Sequence, residues 1–250
     1  MCIRDSLHTA GFPAGPSLAG GDNVSSEAVI SSICGLGLEA EPGERFLYSD
    51  TGFILLALVV ERVFSEPLDV LFGRFVSDPL GMADTRFGVP ESALPRCAPT
   101  EVEDGAPLRG VVHDPNCRAM GGVGGHAGLF GTTEDLARYC RMILHRGRLD
   151  GQRVLLPATV DRMTDPVAVP GGKLRSFGWD VDSQYSSPRG EIFPLRGVGH
   201  TGFTGTSIWI DKPSETFIIL LTNRVHPEPG DGIVRLRRLI ANVVAAAVLA

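Results

Sequence analysis

Three stretches of this chain bring together residues capable of chemistry. They are Tyr48-Ser49-Asp50, the glycine-rich GGVGGHAGLFG from Gly121 to Gly131 with His126 inside it, and GHTGFTGTSIWI from Gly199 to Ile210. Each also has a purely structural reading. A Tyr-Ser-Asp ahead of an apolar run suits a helix N-terminus, where short polar side chains accept from orphan N–H groups. Gly121 to Gly131 lacks the Gly-Lys-Ser/Thr ending of a phosphate-cradling loop, which argues against a nucleotide site and leaves His126 as a loop-packing residue. His200-Thr201-Gly202 reads as the turn that starts a strand pair. Nucleophile motifs are missing from the sequence. Neither Lys173 nor Lys212 has a serine three residues before it, those positions being Pro170 and Trp209, and no Gly-x-Ser-x-Gly elbow occurs.

The elements that must position these residues follow from punctuation and periodicity. Gly and Pro spread over Leu7 to Gly21 predict a surface loop. Ser25 or Ser26 is expected to start a short helix to Gly35, and Asp50 or Thr51 to cap a nearly all-apolar helix over 52–64 that belongs in the interior. A helix over 68–76 is expected to stop at Asp78-Pro79. Residues 88–125 carry scattered Gly and Pro and predict a long loop, followed by helices from Thr132 or Thr133 to Leu144 and from Pro157 to Met163, then a loop over 166–172. Phe177 to Val181, Ser207 to Asp211 and Thr216 to Asn223 read as strands, the last two as a hairpin turned by Lys212 to Glu215. A final helix over 233–247 has its apolar residues at Ile233, Leu236, Leu239, Ile240, Val243 and Ala247. These elements make an α+β fold, an antiparallel β-sheet flanked by helices, with a helical subdomain over about residues 25–166 and the sheet and C-terminal helix over about 174–250.

Composition narrows the function classes. The 250 residues are 43% hydrophobic and 21% charged, with a net charge of −6. That length allows one sizeable core. An acidic balance gives no basic face for phosphates, so nucleic acid is not an expected partner. Twenty-one of the 23 basic residues are Arg. Five cysteines show no CxxC pair and no His at zinc-ligand spacing, so neither a metal site nor a redox motif is expected; they read as free, mostly buried thiols, with Cys97 and Cys117 the pair to consider under oxidising conditions. No apolar run approaches the roughly 20 residues of a membrane span. Trp179 and Trp209 read as packing residues, His113-Asp114 as a loop hydrogen-bonding pair, and Arg235, Arg237 and Arg238 as a solvated helix face. Met1 to Ser6, MCIRDS, resembles the translation of a transposon adapter used in sequencing libraries, so the fold is expected to begin near Leu7.

In order, LHTAGFP, PGERFLYSD, the HAGLF loop, FGWD and GHTGFTGTSIWID with a following LLTNR resemble the class C β-lactamase-related serine hydrolases, the penicillin-binding-protein type, along nearly the whole chain after Ser6. In that family a Ser-x-x-Lys, a Tyr-x-Asn-type loop and a Lys/His-Thr-Gly strand meet at one cleft. The resemblance implies an acyl-serine hydrolase of esters, amides or peptides (esterase, D-Ala-D-Ala carboxypeptidase or β-lactamase-like), with a small-molecule or peptide acyl substrate, no metal and no organic cofactor. It assigns catalytic roles to Tyr48 as general base or proton shuttle, Asp50 and His200, and substrate contacts to Thr201, Gly202 and Phe203, whose N–H would be an oxyanion donor. Two departures shift the reading from β-lactamase toward esterase or peptidase. Asp50 replaces an Asn and only accepts hydrogen bonds when ionised, and His200 replaces a Lys and so lacks a fixed charge at neutral pH. The Ser-x-x-Lys of the family lies before LHTAGFP, so the chain reads as a fragment that is inactive by itself. Family members are often exported or periplasmic. The alternative reading is a noncatalytic penicillin- or peptide-binding module.

Overall fold

The computed structural model describes residues 2–18 and 23–248. Met1 and the last three positions of the expected 7–21 loop lie outside the described residues. Its centre is a six-stranded sheet whose strands follow one another in chain order: β1 (Val167–Val169), β2 (Lys173–Ser176), β3 (Trp179–Asp182), β4 (Val198–Thr201), β5 (Ser207–Asp211) and β6 (Thr216–Leu220). Every neighbouring pair is antiparallel. The expected 207–211/216 hairpin is present, with Asp211 opposite Thr216 and Glu215 in the left-handed region at the turn. Sequence reading missed β1, β2 and β4. The 166–172 loop folds instead into a hairpin, with Val169 opposite Lys173 and Gly171 and Gly172 at positive φ.

Helices cover both faces. On one, Thr133–Leu144 and Pro157–Thr164 bury Cys140, Met142, Ile143 and Val160 against Trp179, Val181, Val198 and Ile210. On the other, Ile233–Val248 lays Ala241 and Ala245 on Phe193, Trp209 and Ile218. Alternation along β5 accounts for Trp209 and Ile210 entering different cores. The phase of Ile233–Val248 differs from the expected one. Its buried residues are Ile233, Arg237, Ala241 and Ala245, whereas Leu236, Leu239 and Val243 are exposed. Alanines at 241 and 245 let the backbone approach the large Trp209 ring, and that fit outweighs the bulkier stripe.

A third core joins Leu18, Val29, Ile33, Ile54 and Ala119. It is built by Ser26–Leu36, capped by Ser25, and by Asp50–Phe64. The cap of the second helix is Ser49, one residue earlier than expected. Its Oγ accepts from Gly52 N–H at 3.4 Å, and Asp50 sits in the first turn, where negative charge meets the positive end of the helix dipole. Leu68–Phe72 runs on through a π-turn, Gly73–Ser77, into Asp78–Leu80. Pro79 therefore begins a re-phased turn, where its missing N–H costs nothing, and does not end the helix. Residues 88–125 include a 3-10 turn (Glu91–Arg96), a two-residue ladder pairing Val102–Glu103 with Ala106–Pro107, and a short helix, Pro115–Ala119. Cys2–Ser6, before the expected start of the fold, is a helical turn against Asp50–Phe64, and Ser6 O accepts from Gly178 N–H at 3.1 Å. All five cysteines are free, and two of them, Cys117 and Cys140, are buried. Among the described residues no helix is long and apolar enough to cross a membrane.

Candidate active site

Tyr48 is carried by an extended segment clamped to residues 8–14. Leu47 N–H donates to His8 O at 2.9 Å, Ser49 N–H to His8 Nδ1 at 3.0 Å, Ser49 Oγ to Pro13 O at 2.6 Å, and Asp50 N–H to Ala14 O at 2.7 Å. The phenol ring stacks on His8 with centroids 4.2 Å apart, meets Tyr185 edge-on at 5.3 Å, and lies 6.1 Å from the His200 ring. Burial pushes the Tyr48 phenol up to about 12; the Asp50 charge adds to this and Arg175 opposes it. His8, buried and close to Arg175 and His200, is held down at about 3 and is therefore neutral. Its Nδ1 must be the unprotonated nitrogen, since it accepts from Ser49.

The opposite wall is the end of β4 and the turn that follows. His200 is neutral too: burial and then Arg175 lower it, and its Nδ1 donates to Thr201 O at 3.0 Å. The turn is tied by Gly202 N–H to Thr206 O (2.7 Å), Gly205 N–H to Gly202 O (3.2 Å) and Arg224 N–H to Thr204 O (2.8 Å). A Cβ on Gly202 would stand 2.2 Å from Thr206 Oγ1, so a side chain there would have to displace the Thr206 hydroxyl. From Ile233–Val248, Arg237 reaches in and donates to Gly202 O at 2.8 Å and Thr206 O at 2.6 Å. Arg237 is thus buried and structural, not part of a solvated face; Arg238, by contrast, pairs with Glu191 at the surface. Phe203 is 65% exposed, stacks with His113 at 5.3 Å and carries the Arg224 guanidinium 4.7 Å from its ring centre. Among the described residues its N–H has no backbone carbonyl partner, leaving that donor free.

The two walls enclose a cleft of about 270 Å³ lined by Tyr48, His200, Thr201, Gly202 and Phe203, together with Asp180, Tyr185, Arg224, Ile233, Val234 and Arg237. Asp50 is the one predicted site residue that is not in its lining. It feels His126 and Asp114 instead: burial raises its carboxyl, His126 draws it down and Asp114 raises it. His126 Nε2 lies 3.0 Å from Asp114 Oδ1, which also accepts from Cys117 N–H at 2.7 Å. Burial raises Asp114, but these hydrogen bonds more than offset it and leave the carboxyl below its usual range. Gly125 packs this loop on the first turn of Asp50–Phe64, where a Cβ would lie 2.1 Å from Phe53 O. His126 packs the loop as expected and also pairs with Asp114 beside Asp50. A larger cavity, about 460 Å³, lies among Arg141, His145, Arg146, Arg148, Glu215 and Phe217 and contains none of the predicted residues.

Sequence reading missed His8, Asp180, Tyr185, Arg224 and Arg237 as cleft-building residues. For Arg237 a signal existed, because it shares the four-residue spacing of Ile233, Ala241 and Ala245. For Asp180 the FGWD motif was a signal, though its place beside Tyr48 depends on strand pairing; for Tyr185, in the loop after that strand, none existed.

Comparison with known proteins bears on the family and the fold. The Beta-lactamase family matches residues 6–242. A protein of Salmonella schwarzengrund (strain CVM19633), provisionally named D-alanyl-D-alanine carboxypeptidase, is 31% identical over 271 aligned positions, covering 98% of this chain and 62% of the relative. The chain therefore spans less than two thirds of that relative's length. Among solved structures, a class C beta-lactamase mutant superposes with a TM-score of 0.74 at 13% identity, covering 98% of this chain and 70% of the other. EstCE1, described as a hydrolase with promiscuous acyltransferase activity, gives 0.69 at 23% identity, covering 96% and 71%. With a phenol, an imidazole and a glycine turn facing one another across a cleft between helices and an antiparallel sheet, and with the family match running over nearly its full length, this chain belongs to the beta-lactamase family.

Proposed function

We propose that this chain supplies the base and oxyanion side of an acyl-serine hydrolase acting on ester, amide or peptide bonds, with carboxyl-terminal peptides as the preferred substrate class. The observation that carries the reading is the convergence of Tyr48, His200 and the 201–203 turn on one cleft, 6.1 Å separating the two rings. Tyr48 is the proton acceptor, Thr201 and Gly202 line the substrate path, and the free Phe203 N–H points to an oxyanion donor. Asp50 acts from outside the lining, as an acceptor for a cationic side chain. Arg224 in the lining favours a substrate with a carboxylate, in keeping with the name of the Salmonella relative, while Arg237 is committed to the Gly202 and Thr206 carbonyls.

The 250 residues contain no Ser-x-x-Lys. A Tyr48 phenol at about 12 stays protonated at neutral pH, so without an added cation it is a poor base. These residues alone therefore do not supply the nucleophile that the proposed chemistry requires, and no turnover is expected of them by themselves. The test is to recover the longer reading frame, express it, and incubate it with a fluorophosphonate probe and p-nitrophenyl acetate. Labelling of a serine in a Ser-x-x-Lys, with burst hydrolysis abolished by Tyr48→Phe, is the expected result. A folded longer protein that neither labels nor turns over, yet binds a peptide acid, would replace this reading with a noncatalytic binding module.

A further inference from the structure

Behind Tyr48 and His200 lies a charge that the proposed chemistry has not used. Arg175, on β2, is 0% exposed. Its cross-strand partner is Asp180 on β3, which in turn pairs with Gly199, the residue before His200 on β4. The row Arg175, Asp180, Gly199 therefore runs across the sheet to the His200 wall. Arg175 Nη1 is 3.2 Å from Asp180 Oδ1, but the contact is misaligned for a hydrogen bond, and none of the three guanidinium nitrogens has a hydrogen-bond partner among the described residues. Asp180 uses its other oxygen, Oδ2, to accept from Ser186 Oγ at 2.8 Å. On the Tyr48 side, the Arg175 guanidinium stands 5.7 Å from the ring centre of Phe46, two residues before Tyr48.

Such an arrangement is an expensive way to hold a sheet together. Desolvating a guanidinium costs several kcal/mol, a buried ion pair repays this only with good geometry, and unpaired donors add to the loss. An apolar pair would pack β2 against β3 at lower cost. What an arginine gives in return is a charge that persists at neutral pH, even though burial lowers the Arg175 guanidinium from the ordinary arginine value. The imidazoles facing it, His8 and His200, are both neutral, and the carboxylates Asp180 and Asp50 act in the opposite sense. Arg224 and Arg237 are cations of the turn beyond His200, whereas Arg175 is the cation whose charge acts on both Tyr48 and His200.

We propose that Arg175 is a positioning residue for the cleft: its buried guanidinium supplies the permanent positive charge that favours the anionic form of Tyr48 and the neutral form of His200. The inference rests on the reading of Tyr48 as proton acceptor for its functional meaning, but its test needs neither nucleophile nor substrate. In the 250-residue chain, the His200 ring is followed by 13Cε1-histidine NMR and Tyr48 by 13Cζ-tyrosine NMR, with H200Q and Y48F assigning the signals. In R175Q the His200 midpoint moves upward toward that of a free imidazole and Tyr48 ionises at higher pH; in R175K both stay near their starting positions. Should R175Q fail to fold, R175Q/D180N removes the charge without leaving a buried carboxylate unpaired. It moves both groups in the same directions by less, because Arg175 outweighs Asp180 at each. Unmoved midpoints in folded R175Q or R175Q/D180N overturn the proposal, as does an R175K that shifts as far as R175Q. Failure of the longer protein to label with a fluorophosphonate overturns the hydrolase reading alone and leaves these titrations unchanged.

Discussion

The two walls of the cleft are held by different physics. The sheet wall, from His200 to Thr206, is fixed by backbone hydrogen bonds, by glycines with no room for a side chain, and by Arg237 donating to two carbonyls. The helix wall, around Tyr48 and Asp50, is clamped to residues 8–14 by hydrogen bonds too, but adds polar rings buried against one another and against charge. One wall stores geometry and the other stores protonation state. Substitutions on the first should act on stability at every pH, and substitutions on the second should change how stability or chemistry depends on pH.

The largest effect is expected at Gly199. A Cβ there would fall 2.2 Å from Trp209 Cε3 and 2.4 Å from Ile208 O, and neither the buried indole nor the strand backbone can yield. Gly199→Ala should cost about 3 kcal/mol, the upper part of the range for overpacking a core, read as a lower urea midpoint with an unchanged slope. A near-neutral result would mean that β4 is not clamped and that the contrast between the walls is wrong. Next comes Arg237→Met, which leaves the carbonyls of Gly202 and Thr206 without their charged donor. About 2 kcal/mol is expected, the same at pH 6 and pH 8. Arg235→Met, on the exposed side of the same helix, serves as the control.

His8 sharpens the other half of the comparison. In the unfolded chain it takes up a proton near 6.5, whereas in the fold it remains neutral down to about 3. Between those values the unfolded state holds the extra proton, so stability falls as pH falls, by about 1.4 kcal/mol for each unit. Urea unfolding at pH 6.5 and 5.5 should show a loss of about 1 kcal/mol in the wild type, short of the full slope because the unfolded imidazole is only half protonated at pH 6.5. His8→Asn, with an amide oxygen still available to Ser49 N–H, should lose that share of the slope. A slope equal in both would mean that His8 is not held neutral by the helix wall.

How much of this was legible beforehand differs by element. The hairpin of β5 and β6 announces itself through alternating β-branched and aromatic residues, and the helices of 26–36 and 133–144 through a polar cap before a periodic run. His200-Thr201-Gly202 reads as the turn that starts a strand pair, yet His200 and Thr201 belong to the strand Val198–Thr201, in which Gly199 leaves room for Trp209. Tyr48 and His200 were legible only through the order of the motifs around them, since neither residue alone distinguishes a site from a helix start or a turn. Arg175 and Asp180 were invisible as a pair. Five positions apart across a tight turn, they meet through a strand register that no short-range pattern encodes.

The smallest expected effect tests the phase of Ile233–Val248. Read from hydrophobicity alone, Leu239 belongs to the buried stripe; in the fold it is 51% exposed, while Ala241 and Ala245 take the interior. Leu239→Ser should therefore change the unfolding free energy by no more than about 0.5 kcal/mol, as for an ordinary surface position. Ala241→Ser, which places a hydroxyl against Trp209 and Ile218, should cost more despite the smaller change in side chain. Comparing the two by urea denaturation at two protein concentrations decides whether the observed phase holds in solution. A Leu239→Ser loss above 2 kcal/mol that is independent of concentration would show the helix rotated toward the bulkier stripe, and Arg237 would then be turned away from the Gly202 carbonyl that it is said to hold.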